Sequence, residues 1–278
     1  MSELKRLLVS HIETSGPISF DEYQAQCLYA PEVGFYSTGH GAGRRRDFIT
    51  SPEVGPLFGA VVGRALDAWW REAGEPTRLH LVEVGAGPGT LAKSILRSEP
   101  DCLAALSITL VETSEPQRHS HPDSVRSLGR MPKFVELNAD MVVVLANELL
   151  DNMPVALVER RAHGWCEVLV GVENGVLVEL FEPLGTEQTT WCELRAPSAP
   201  EGTRMPVQSE SVAWLRGALE LIGNARDGRV VVVDYARPAS IDFAELPQSA
   251  WLRTYAQHGR SDDPYESPGE LDITCDVA

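Results

Sequence analysis

The segment Leu81-Val82-Glu83-Val84-Gly85-Ala86-Gly87-Pro88-Gly89-Thr90 sets an acidic side chain two residues before three alternating glycines. An apolar, β-branched run that ends in glycines and continues as LAKSIL reads as strand, turn and helix. Such a turn brings backbone N–H groups and the positive end of a helix dipole to the mouth of a sheet, where α/β proteins bind ligands. Three ligand classes compete for it. A nucleoside triphosphate loop needs GxxxxGK followed by Ser or Thr, and no lysine follows Gly89 until Lys93. A dinucleotide fold wants GxGxxG, and the glycines at 85, 87 and 89 leave Thr90 where the third would stand. Glu83 favours a third class, because a carboxylate at the strand end repels a pyrophosphate and attracts an ammonium or a sulfonium. S-adenosylmethionine carries both cations, and its one carboxylate can use the N–H groups of the turn. Glu112 ends the next apolar run and can accept both ribose hydroxyls, a role that would serve NAD equally.

The elements that must position these residues are legible as periodicities. Leu4, Leu7, Leu8 and Ile12 predict a helix over 3–14, broken by Gly16-Pro17, and Phe20, Tyr23 and Leu28 predict another from Ser19 to about Tyr29. The Gly-rich stretch 30–46 predicts a loop. Ser51 as N-cap and Pro52 at the first position predict a long amphipathic helix over 53–73. LHLVEV, SITLVE, MVVVLAN and GRVVVVDY are apolar runs with little alternation, as expected of strands covered on both faces of a parallel sheet. The stretch 155–195 instead reads as an antiparallel excursion, with Glu173-Asn174-Gly175 as its tight turn. The expected fold is therefore an α/β, Rossmann-like sheet with a helical N-terminal extension and an antiparallel β insertion. Residues 1–76 form the helical cap and loop region, and 77–278 the cofactor-binding domain with its insertion at about 155–195.

Composition bounds the partners. The chain has 278 residues and a formal charge of −16, which argues against a nucleic-acid binder, since phosphates demand clustered Lys and Arg. A cationic partner, such as a basic peptide segment, is the better electrostatic match. No run reaches the roughly 18 to 20 apolar residues of a membrane span, and the start lacks a secretory signal, so the expectation is a cytoplasmic protein without a membrane partner. Five scattered cysteines without a CxxC pair point to reduced thiols and to no metal site. His40 and His258 read as loop histidines.

Beyond the glycine turn, several separated blocks resemble the MidA-like family of class I S-adenosylmethionine-dependent methyltransferases, whose mitochondrial members assist assembly of respiratory complex I. GFYSTG at 34–39 and DFITSPEVGPLFG at 47–59 are similar to the family's N-terminal signature, VEVGAGPGTL to its glycine motif, and ANELLDNMPV at 146–155 to its fourth-strand block. VVVDYA, RTYAQH and PGELDIT, at 231–236, 253–258 and 268–274, follow in the family's order.

The resemblance implies a methyltransferase, with protein arginine as the acceptor associated with mitochondrial members. It implies that Glu83, Gly85, Ala86, Gly87 and Glu112 hold the cofactor, with Thr50, Ser51 and Glu53 beside it. Asn147, Glu148 and Asp151 would be the catalytic residues at the carboxyl edge of the sheet. Two carboxylates can hold a planar guanidinium bidentately and leave one nitrogen aimed at the methyl group. Two other readings stay open: a non-catalytic assembly protein that keeps the fold, and a dinucleotide-dependent oxidoreductase. Glu148 and Asp151 also fit a solvated face or a helix cap. The sequence departs from the family where Pro88 replaces a usual arginine and where DYA replaces DYG. The closing antiparallel strands are expected to be truncated, which would open a sheet edge near the fifth strand as a surface for homodimer formation.

Overall fold

A computed structural model describes residues 2–38, 55–256, 259–261 and 263–278. In chain order its elements are α1 (Glu3–Ser15), β1 (Ile18–Ser19), α2 (Phe20–Tyr29), α3 (Leu57–Glu72), β2 (Leu79–Val84), α4 (Thr90–Arg97) and β3 (Leu106–Val111). There follow α5 (Glu115–Arg118), β4 (Arg126–Leu128), β5 (Met141–Asn147), β6 (Ala156–Arg161), β7 (Gly164–Glu173) and β8 (Val176–Pro183). The chain continues with α6 (Thr186–Arg195), β9 (Arg204–Val207), α7 (Ser209–Gly223), β10 (Asp227–Val233), α8 (Ile241–Glu245), β11 (Leu252–Ala256), β12 (Gly259–Ser261) and β13 (Asp272–Cys275). Contacts divide the chain into two units: the described residues of 1–38, 150–212 and 235–278, and those of 39–149 and 213–234. The N-terminal helices thus share a unit with the β insertion, whereas α3 belongs to the unit of the parallel sheet.

That second unit holds the expected sheet, in the order β10-β5-β2-β3-β4 with every pairing parallel. Alternate residues serve opposite faces. Leu79, Leu81, Ile108, Leu110, Met141, Val143 and Leu145 pack with Leu66 of α3 and with Leu91 and Ile95 of α4. Val82, Val84, Val111, Val142 and Val144 pack on the other face with Ala218 and Leu221 of α7. Each fully buried Leu or Val stabilises the fold by about 1.5–3 kcal/mol relative to exposure. Both faces being covered explains the nearly unbroken apolar runs. Among the described residues β10 pairs with β5 alone, and Val232 and Val233 are 39% exposed. β4, Arg126–Leu128, is too short to leave a periodicity in the sequence. The long helix runs from Leu57 to Glu72, directly after Pro56; its expected start at 53, with Ser51 and Pro52, lies outside the described residues.

In the first unit β7 is central to an antiparallel sheet of order β1-β7-β6-β9, with β8 as its further partner. Asn174 and Gly175 both take positive φ (51° and 75°), the geometry that a two-residue hairpin turn between β7 and β8 requires. The end of the insertion is the helix α6, where an apolar alternation gives way to TEQTTWCELR. A second sheet, β12-β11-β13, is built from the C-terminal blocks. Gln24 of α2 ties these parts together while fully buried: its amide donates to the Ile273 carbonyl at 3.1 Å and its oxygen accepts from the Val155 amide at 3.0 Å. All five cysteines are buried and free.

Candidate functional site

The glycine turn needs its glycines for backbone reasons. Gly85, Gly87 and Gly89 have φ of 67°, 53° and 74°, the left-handed region in which a side chain is strained. At Gly85 a Cβ would also come within 2.9 Å of the Leu149 side chain. The turn's amides, however, are already partnered. Ala86 N donates to the Val111 carbonyl at 3.1 Å, Gly89 N to the Ala86 carbonyl at 2.9 Å, and Gly87 N to Oε2 of Glu112 at 2.9 Å. The expectation that these N–H groups receive a ligand carboxylate is therefore not met at those three positions. They stiffen the turn and orient Glu112.

Glu83 follows the parity of Leu79 and Leu81, so its side chain enters the face covered by α4, beside Leu110 and Leu145 in register. The helix N-cap is Gly89, which has no side chain, and the Ala92 amide in the first turn favours the charged form of Glu83 without offsetting burial. Oε2 of Glu83 is buried without a partner among the described residues, and Glu83 is only 4% exposed. Burial pushes this carboxyl up to about 8. An orphaned, buried acceptor at the head of a glycine turn fits a cationic group, which would draw off the proton and complete the pairing. Glu112 is equally buried, yet Oε1 accepts from the Ser114 amide at 2.7 Å and Oε2 from Gly87. A carboxylate has about four lone-pair positions; with the Thr113 hydroxyl also 3.5 Å from Oε1, one position is open, and a second opens when that hydroxyl turns to a ligand.

The next strand in the sheet carries the acceptor-side candidates. Register pairs Val84 with Ala146, which sets Asn147 and Glu148 beside the start of the turn. Glu148 has φ 50°, rare for a residue with a side chain; its amide donates to the Val233 carbonyl at 2.8 Å, and the Leu149 amide to Asp234 Oδ2 at 3.2 Å. Oδ1 of Asn147 is buried without a partner among the described residues. Asp151 lies in the first unit, in the single 3-10 turn Leu150–Asn152, and is 4% exposed. Burial excludes the solvated face as an account of Asp151. Thr50, Ser51, Glu53, His40 and His258 lie outside the described residues.

Two clamps on the turn were not visible in the sequence. His121 Nε2 lies 2.8 Å from the Gly87 carbonyl while its Nδ1 lies 2.8 Å from Ser127 Oγ, and Lys93 Nζ donates to the Pro88 carbonyl at 2.8 Å. The stretch around His121 has no periodicity that would mark it.

A parallel sheet, a strand-turn-helix with an orphaned acid beneath it and a second acid at the tip of the next strand define a Rossmann-like, S-adenosylmethionine-dependent methyltransferase. The comparisons agree. A family described as "Putative S-adenosyl-L-methionine-dependent methyltransferase" matches residues 61–278, and the chain belongs to it. The chain is 30% identical over 305 residues to the protein arginine methyltransferase NDUFAF7 homolog, mitochondrial, of Drosophila melanogaster, spanning 99% of this chain and 68% of that relative. The Homo sapiens protein arginine methyltransferase NDUFAF7, mitochondrial, is 27% identical over 314 residues, covering 100% of this chain and 67% of its own length. A Burkholderia thailandensis crystal structure with S-adenosyl-homocysteine bound superposes with a TM-score of 0.82 at 28% identity, covering 99% of this chain and 73% of that one. These findings set aside the dinucleotide reading. The cytoplasmic expectation gains no support, because the curated relatives are named mitochondrial. Among the described residues no helix is long and apolar enough to cross a membrane.

Proposed function

We propose that the methyl acceptor is an arginine side chain of a protein, with Glu148 and Asp151 as the acids that hold it and Asn147 beside them. The observation that carries this reading is the match of nearly the whole chain to relatives named protein arginine methyltransferases. The cofactor supplies an electrophilic methyl group when bound, held by Glu83 at its cationic end and by Glu112 at its ribose. The chain's own work is alignment. A carboxylate that accepts guanidinium N–H groups concentrates the positive charge away from the reacting nitrogen and takes up the proton which that nitrogen loses. The formal charge of −16 attracts a basic segment of a protein substrate over a distance.

The test is transfer of labelled methyl from S-adenosylmethionine to proteins of a lysate, with the modified residue located by mass spectrometry. Label on arginine, lost in Glu148→Gln while S-adenosylhomocysteine still binds, supports the reading. Label on lysine or on a small molecule would overturn the arginine assignment. Cofactor binding with no transfer to anything would favour a non-catalytic assembly protein.

A further inference from the structure

The blocks GFYSTG and PGELDIT take no part in the chemistry above, yet both end on one side chain of the first unit. Asn152, 8% exposed, donates from Nδ2 to Oδ1 of Asp272 at 2.8 Å. The Tyr36 hydroxyl stands 3.0 Å from the same Asp272 oxygen and 3.1 Å from Asn152 Oδ1, so its single proton serves one of the two at a time. The Asn152 carbonyl accepts the Tyr29 hydroxyl at 3.0 Å, and the Tyr29 and Tyr36 rings stack with centroids 5.7 Å apart. Asp272 is 2% exposed.

The backbone around this network is built for close approach. Gly269, with φ 82°, lies where a Cβ would stand 2.5 Å from the Val33 carbonyl oxygen, so the glycine of PGELDIT lets that block close on the residues just before GFYSTG. Gln24 fixes the backbone on both flanks, at Val155 and Ile273. Two segments remote from it in sequence, 24–36 and 269–273, therefore hold the one turn that carries Asp151. Buried polar networks that satisfy one another impose a single geometry on what they hold.

We propose that Tyr36 and Asp272 are positioning residues for methyl transfer, which fix Asn152 and through it the Leu150–Asn152 turn that presents Asp151. The proposal rests on the acceptor-side role of Asp151 given above. Neither residue is required to touch the cofactor or the acceptor.

The experiment compares wild type with Tyr36→Phe, with Asn152→Asp, and with the double variant Asn152→Asp/Asp272→Asn. Asn152→Asp faces one carboxylate with another, and the double variant restores one donor and one acceptor at the same place, so it also guards against a variant that merely fails to fold. Hydrogen exchange of the peptide spanning 147–153, methyl transfer to lysate protein at saturating S-adenosylmethionine, and affinity for S-adenosylhomocysteine are measured together. Tyr36→Phe and Asn152→Asp are expected to speed exchange there and to lower kcat by roughly tenfold to a hundredfold, with the KM for S-adenosylmethionine unchanged and the double variant recovering both. Unchanged exchange in both single variants, or faster exchange with full kcat, overturns the proposal. Fast exchange with KM rising in step with the loss of kcat would mark a general structural role and overturn it as well. Wild type that binds S-adenosylhomocysteine but transfers no methyl overturns the functional reading itself, and with it the proposed role.

Discussion

The amide of Gly87 donates to Oε2 of Glu112 at 2.9 Å, so the acid at the tip of β3 is locked to the glycine turn that opens α4. The two candidate cofactor-binding features are thereby one mechanical unit, and Ser114 N holds the other oxygen. Glu112→Gln keeps the shape but presents one acceptor oxygen where two are used, leaving either Gly87 or Ser114 facing an amide NH2. A lost charge-assisted bond of about 1.5–3 kcal/mol predicts weaker S-adenosylhomocysteine binding by roughly tenfold to a hundredfold. Calorimetric titration reads this directly, and an affinity within twofold of wild type would remove Glu112 from the site.

Glu83 predicts a proton count. With its carboxyl pushed up to about 8 by burial, the group is protonated at neutral pH, and a bound ammonium makes it ionise. Binding of S-adenosylhomocysteine at pH 7 should release close to one proton, seen as heats that differ between buffers of different ionisation enthalpy. Glu83→Gln should bind more weakly with no buffer dependence. Equal heats for wild type in both buffers would show that Glu83 does not change state on binding.

The glycines can be separated by what surrounds them. Gly89 and Gly175 have nearly the same φ, 74° and 75°, but a Cβ at Gly89 would meet Leu110 Cδ1 at 3.0 Å and His121 Cδ2 at 3.3 Å, whereas at Gly175 nothing lies within 4 Å. Gly175→Ala should cost only the backbone strain, about 1 kcal/mol. Gly89→Ala should cost more, about 2–3 kcal/mol, because α4 must shift against its packing. Chemical unfolding of the two variants at fixed pH measures the difference, and equal costs would mean the turn has room to spare.

Much of this was legible because the elements are periodic and the turn chemistry is local. Apolar runs at 79–84, 106–111 and 141–147 announce a sheet covered on both faces, and Asn174-Gly175 announces its hairpin. What stayed hidden depends on contacts between segments remote in sequence. Nothing near Glu83 says that it would be buried under α4 with Oε2 unpartnered. Similarly, Asn152 meets Asp272 across 120 residues, a separation that no local pattern encodes. The state of the turn's amides is hidden for the same reason: it depends on Val111 and Glu112, the latter 25 residues beyond Gly87.

His121 and Glu83 pull the stability of the parallel-sheet unit in opposite directions with pH. The neutral imidazole of His121 donates from Nε2 to the Gly87 carbonyl and accepts at Nδ1 from Ser127, and burial lowers its pKa below the usual 6.5. Its folded pKa is depressed, so the unfolded chain binds more protons just below 6.5 and stability is lost as pH falls through that window. Glu83 is the reverse case: its folded pKa is raised, so its contribution is fully present below about 4.5 and is lost as pH rises toward 8, at up to about 1.4 kcal/mol per pH unit. Buried His80, also lowered by burial, acts in the same sense as His121, so the wild-type profile alone cannot apportion the effect. Single variants can. Glu83→Gln should remove the loss of stability across pH 5 to 8 and thereby steepen the fall on the acid side that the histidines cause, while His121→Gln should lessen that acid-side fall and leave the Glu83 slope. Tm measured without cofactor across pH 5 to 8.5 separates the two, and a Glu83→Gln profile parallel to wild type would mean that its carboxylate is hydrated in solution. In that case the proton release expected on cofactor binding would vanish too, so the two measurements check one another.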